Sequence, residues 1–171
     1  MSVFIDSCTL ILLLVVFVQD IFYRAISWFL IPLFFLTFTA KGILLQPPSE
    51  LAFNSLINLG FVLFQLLMLS LYMSIKNKKP VFIVNSYLGL GDILFFVVIC
   101  LAFSPVNFIV FYLSSLIFIL LAFVAYTLIV KNANKHIPLA GIMAALMMVL
   151  ILLNWMFPQI NLYEDYILTL I

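Results

Sequence analysis

Long apolar runs alternate with short polar breaks along the whole chain. A helix needs about 20 mainly apolar residues to cross a hydrocarbon core of about 30 Å. Six runs answer to that length: residues 3–23, 27–45, 51–75, 92–108, 108–130 and 138–157. The fourth is the shortest. Ser104-Pro105-Val106-Asn107 predicts a turn between it and the fifth, because proline and asparagine favour turns. Pro32 predicts a kink in the second run. Residues 161–171 are too few to cross and contain Glu164 and Asp165, so they are expected at the interface. No run repeats another at a fixed period and no linker divides the chain, which gives one membrane domain over residues 1–171.

Polar residues inside the runs are expected to serve packing. Asn54 and Asn58 lie one helical turn apart, with Gln65 two turns farther, as interhelical hydrogen-bonding residues do. Met143, Met147 and Met148 read as packing residues, and Trp28 and Trp155 as interfacial aromatics near helix ends. His136 reads as a loop residue close to the membrane surface.

Composition turns the apolar pattern into an environment. The 171 residues are 68% hydrophobic and 8% charged, with a mean hydropathy of +1.39. A soluble domain carries about 25% charged residues, so this chain lacks the polar groups to cover a water-exposed surface. The net charge of +1 offers no basic field for nucleic acid. Cys8 and Cys100 stand far apart with no histidine beside them, which argues against a disulfide framework or a zinc site. No metal or organic cofactor is implied.

The charges also orient the chain. Arg24 follows the first run, Lys76, Lys78 and Lys79 the third, and Lys131 and Lys135 the fifth. Asp6, Glu50, Glu164 and Asp165 fall on the other side. By the positive-inside rule the basic loops face the cytoplasm. The expected fold is therefore an all-α polytopic membrane bundle of six transmembrane helices with both termini outside, in the cytoplasmic (inner) membrane. Lys41 is the exception and is expected to snorkel. The first run lacks a basic start and a small-x-small cleavage site, so it reads as a retained helix.

Two acids remain, Asp20 in the last turn of the first run and Asp92 at the opening of the fourth. Both are expected at the cytoplasmic ends of their helices, where a carboxylate costs at least about 2.5–3.5 kcal/mol unless it has a partner or a purpose. Singly, each has a structural explanation. Asp20 and Arg24 are spaced i, i+4 as an ion pair would be, and Asp92 could be an N-cap. Together they point to chemistry. Two nearby carboxylates share a proton, so one acts as base toward water and the other as acid, as in an aspartic protease. Gly89 and Gly91, in Asn85-Ser86-Tyr87-Leu88-Gly89-Leu90-Gly91-Asp92, would let an extended peptide approach closely.

Three stretches resemble the prepilin peptidase family of GxGD intramembrane aspartic proteases. They are Asp20-Ile21-Phe22-Tyr23-Arg24-Ala25-Ile26-Ser27, Gly89-Leu90-Gly91-Asp92, and His136-Ile137-Pro138-Leu139-Ala140-Gly141. Their order and spacing agree over nearly the whole chain. Ser27 stands where the family usually has proline, and Leu94 where a lysine is frequent. The resemblance is to the short, peptidase-only members and argues against N-methylation. It implies Asp20 and Asp92 as the catalytic pair, Gly89, Gly91, Arg24 and Pro138 as substrate-positioning residues, and a membrane-inserted prepilin-like protein as substrate. The alternatives are a preflagellin- or signal-peptide-type GxGD protease, and a non-enzymatic membrane subunit or small proton-coupled transporter using the same two acids.

Overall fold

A computed structural model of the chain describes residues 2–80, 88–129, 138–157 and 162–165. The apolar runs become six α-helices among these residues: α1 (Ser2–Tyr23), α2 (Leu30–Leu45), α3 (Pro48–Asn77), α4 (Leu90–Ile99), α5 (Pro105–Ile129) and α6 (Leu139–Met156). By length and composition α1, α3, α5 and α6 can cross a membrane. Large apolar side chains such as Phe4, Phe53, Phe64 and Leu128 are exposed on the outside of the bundle, the pattern expected of a surface solvated by lipid. Lys131, Lys135 and His136 lie outside the described residues, as do Asn85, Ser86 and Tyr87.

Neighbouring helices run in alternate directions. α1 packs most extensively on α6 and next on α2. One end of the bundle carries Asp20 and the other Asp6. α2 begins beside the first of these ends and reaches the second at Lys41, which pairs with Asp6. α3 starts there too, with Leu51 packed so closely on Gly42 that a Cβ on the glycine would lie 2.6 Å from a leucine methyl. Arg24 follows α1, and Lys76, Lys78 and Lys79 lie at the end of α3. These four bases therefore share the end that carries Asp20.

The core is aromatic. Phe34 and Phe38 stack at 5.7 Å between centroids, Phe34 meets Phe95 edge-on, and Phe103 stacks on Phe111 at 4.9 Å. Met143 and Met147 are buried in it, as packing residues. Asn58, expected to bond between helices, ties α3 to the turn that follows α4, donating to the carbonyls of Cys100 at 3.0 Å and Phe103 at 2.9 Å. Asn54 donates to Gln46 at 3.2 Å instead.

Several expectations are corrected. The fourth run does not form a helix over 92–108: α4 is ten residues long, about 15 Å. Overlapping short turns follow it, Leu101 N–H to Val98 O and Ala102 N–H to Ile99 O, and Asn58 takes up carbonyls freed there. Pro105 then opens α5 rather than sitting in a turn. Its missing N–H costs nothing at a first helical position, and it disfavours helix in the residue before it. Pro32 lies in the first turn of α2 rather than in its interior, where no intrahelical donor is required and no kink is called for.

The end opposite Asp20 is more polar and more closely packed than expected. Lys41 does not snorkel but is buried with Asp6, itself only 4% exposed. Asp6 is thus a third embedded acid. Trp155, expected as an interfacial aromatic, donates its indole N–H to Asp6 at 3.2 Å. Leu162 and Tyr163 are buried rather than lying along the interface. The Leu162 carbonyl accepts the Ser104 N–H at 2.9 Å, and Asp165 accepts the Val106 N–H at 3.2 Å at the start of α5.

Candidate active site

Asp20 is held by the way α1 ends. The Arg24 N–H donates to the Asp20 carbonyl at 3.1 Å, and Arg24 itself is left-handed, with φ 52°. A left-handed residue commonly closes a helix. The chain then folds back, and the Ser27 N–H donates to the Gln19 side chain at 3.0 Å. The i, i+4 pair that the spacing allowed as a structural alternative does not form: the only ion pair within 4 Å among the described residues is Lys41–Asp6. The exposed Arg24 side chain acts on Asp20 only through space.

Asp92 comes from the first turn of α4, though not as its N-cap. Gly89 holds that position, with an extended backbone, and Asp92 is the third helical residue. From there its carboxylate turns back toward the Gly89 amide, the reach that an acid at this position makes in a capping box. A Cβ on Gly89 would lie 3.2 Å from Asp92 Oδ2. Gly91 serves another contact: its Cβ position is 3.2 Å from Ile26 Cβ. The α4 start therefore packs directly on the turn that follows α1.

The two carboxylates meet at the start of α6. Pro138 is the N-cap of this helix and makes no side-chain cap, so the amides of the first turn need outside partners. The Ala140 N–H donates to Asp92 Oδ1 at 3.2 Å, and the Gly141 N–H donates to Asp20 Oδ2 at 2.5 Å. Consecutive amides of one helix thus receive one carboxylate from α1 and one from α4. The positive end of the α6 dipole favours the negative charge they carry. The two carboxylates are close enough to interact electrostatically.

Gly141 makes the approach of Asp20 possible. A Cβ on it would lie 3.0 Å from both Cβ and Oδ2 of Asp20. Of the residues named from sequence, Asp20, Asp92 and Gly89 come together here, with Pro138 just before the two amides. Gly91 acts one step away through Ile26. Ala140 and Gly141 were missed as site residues. Their signal is position: they are the second and third residues after a proline that supplies no side-chain cap.

No protein-family model matches this chain, and neither a curated protein nor a solved structure does. The site is therefore argued from its own geometry. Asp20 is buried while Asp92 is partly exposed. An open depression of about 340 Å³, lined by Gln19, Tyr23, Ala25, Ile26 and Ser27, borders the turn between α1 and α2. Among the described residues no three His, Cys, Asp or Glu side chains are grouped to hold a metal ion. Two converging carboxylates, one buried and one reachable, can hold and transfer a proton.

Proposed function

We propose that this protein is an intramembrane aspartic endopeptidase of the prepilin peptidase type, which removes a basic leader from a membrane-inserted, prepilin-like substrate. The observation that carries the reading is the convergence of Asp20 and Asp92 on consecutive amides of α6. A structural ion pair or a lone N-cap would not require two acids from separate helices at one point. The pair shares one proton. Its ionised member takes a proton from a water as that water attacks the scissile carbonyl. The protonated member hydrogen-bonds the developing oxyanion. Collapse of the tetrahedral intermediate breaks the C–N bond, and the proton taken from water goes to the leaving amine.

The proposed topology has six crossings, both termini outside and the dyad at the cytoplasmic face of the inner membrane. It is supported by the four bases that share the Asp20 end, while Glu50, Glu164 and Asp165 belong to the Asp6 end. α4 is too short to cross alone, so its crossing includes the turn through Ser104, in a locally thinned bilayer. A leader held inside by its bases meets its hydrophobic helix at this depth.

The test is cleavage by purified protein in proteoliposomes, with mass spectrometry of a prepilin-type substrate. One cut at the junction of leader and hydrophobic helix is expected, after a glycine as the family resemblance implies, leaving an unmethylated amine. No cleavage, or a cut deep in the helix or on the outer side, would refute the reading.

A further inference from the structure

At the far end of α1 from the dyad lies a second buried charged cluster. The Lys41 ammonium of α2 pairs with Asp6 Oδ1, the two side chains being 10% and 5% exposed. The other oxygen of Asp6 accepts the Trp155 indole N–H of α6 at 3.2 Å. Leu162 and Tyr163 line the same spot and close it off. A buried ion pair costs several kcal/mol of desolvation per ion and is weak evidence for stability alone. Its best-attested use is to fix register.

Here the register has a measurable consequence. α1 and α6 are antiparallel and are joined by side-chain hydrogen bonds at both ends, Asp6 to Trp155 and Asp20 to Gly141. Positions 6 and 20 on α1 are fourteen apart, and so are positions 141 and 155 on α6, a span of about 21 Å on each helix. Between them lie apolar contacts made by Leu13, Val16, Ala144 and Met147. A slide of one residue, about 1.5 Å, would pull Asp20 off the Gly141 amide.

We propose that Asp6, Lys41 and Trp155 form a remote clamp that sets the axial register of α1 on α6 and so holds the Asp20 carboxylate on the Gly141 amide. Their standing as positioning residues for catalysis rests on the peptidase reading; the clamp itself does not. Lys41 adds the third helix. It draws α2 onto the same point, so that Asp6 is fixed from two directions and cannot swing with Trp155.

The experiment compares wild type with Asp6→Leu/Lys41→Met, Trp155→Phe and Lys41→Arg in proteoliposomes. The double substitution removes both charges together and leaves neither buried alone. Two quantities are read. One is the rate at which a hydrophobic carbodiimide modifies Asp20, followed by peptide mass spectrometry. The other is kcat and KM for leader cleavage. An Asp20 released from Gly141 is open to the reagent, so the double variant should be modified about fivefold to tenfold faster. Its kcat should fall by a similar factor with KM unchanged. Trp155→Phe should move both quantities the same way by less, and Lys41→Arg should stay near wild type.

An unchanged modification rate in the double variant and in Trp155→Phe overturns the clamp. A fall in kcat without faster modification also overturns it, since Asp20 then keeps its amide and the loss arises elsewhere. Wild-type protein that cleaves no leader removes the peptidase reading, and the modification rates still decide the clamp.

Discussion

Asp20 and Gly141 lie 121 residues apart in sequence and 2.5 Å apart from carboxylate oxygen to amide nitrogen. The bond exists because position 141 has no side chain: a Cβ there would come within 3.0 Å of the carboxylate oxygen it faces. Asp92 takes the preceding amide, at Ala140. The spacing of the two acids is thereby referred to a single turn of backbone, which is more rigid than either side chain.

Gly141→Ala should therefore displace Asp20 while leaving α6 intact, since alanine is the better helix former. A misplacement of about 1 Å at a reacting group costs on the order of 100-fold. A fall of about 10- to 100-fold in cleavage, with unchanged expression and insertion, is expected. Cleavage within twofold of wild type would mean that Asp20 does not need this contact.

Gly91→Ala acts at one remove. The new methyl meets Ile26 at 3.2 Å and pushes the start of α4 from the turn after α1. Activity should fall, and Ile26→Gly in the same chain, which removes the Cβ that the new methyl meets, should restore part of it. Failure of the second substitution to rescue would separate Gly91 from Ile26.

Away from the site, Gly42→Ala sets a methyl 2.6 Å from Leu51 Cδ1. Overpacking of this kind costs about 1–3 kcal/mol. Unfolding in mixed micelles should show that loss, and Leu51→Ala should relieve it, so that the two effects do not add. Additive losses would contradict the close contact of α2 with α3.

Asn58→Leu removes two donors from buried carbonyls, those of Cys100 and Phe103. An unsatisfied buried group costs about 1–3 kcal/mol, so a larger loss is expected than for Asn54→Leu, whose partner is the side chain of Gln46 at the end of α2. The same unfolding assay ranks the two. Equal losses would count against the role given to Asn58.

The sequence marks the long helices plainly, because an apolar run of membrane length leaves little else for the backbone to do. It also marks Asp20 and Asp92, since a charge inside such a run is costly. Contacts between distant segments were harder to read. Lys41 finds Asp6 thirty-five positions away, and nothing near either residue announces the partner. Ala140 and Gly141 offer backbone amides, which every residue has. Only the N-capping proline hints that these two need outside acceptors. The short α4 was hidden because apolar residues continue past Ile99; hydropathy does not register a helix that ends inside an apolar run. Pro105 carried two signals, since proline favours both turns and the first position of a helix.

The most direct measurement is leader cleavage by Asp20→Asn, Asp92→Asn and the double variant, each purified and reconstituted beside wild type. Asparagine keeps the size and the hydrogen-bond acceptor but cannot pass a proton. If the two carboxylates work as one unit, each single substitution abolishes cleavage and the double is no worse than either, with all three proteins inserted and folded. Near-normal turnover by either single variant would contradict the aspartic mechanism and leave the two carboxylates as caps for α6.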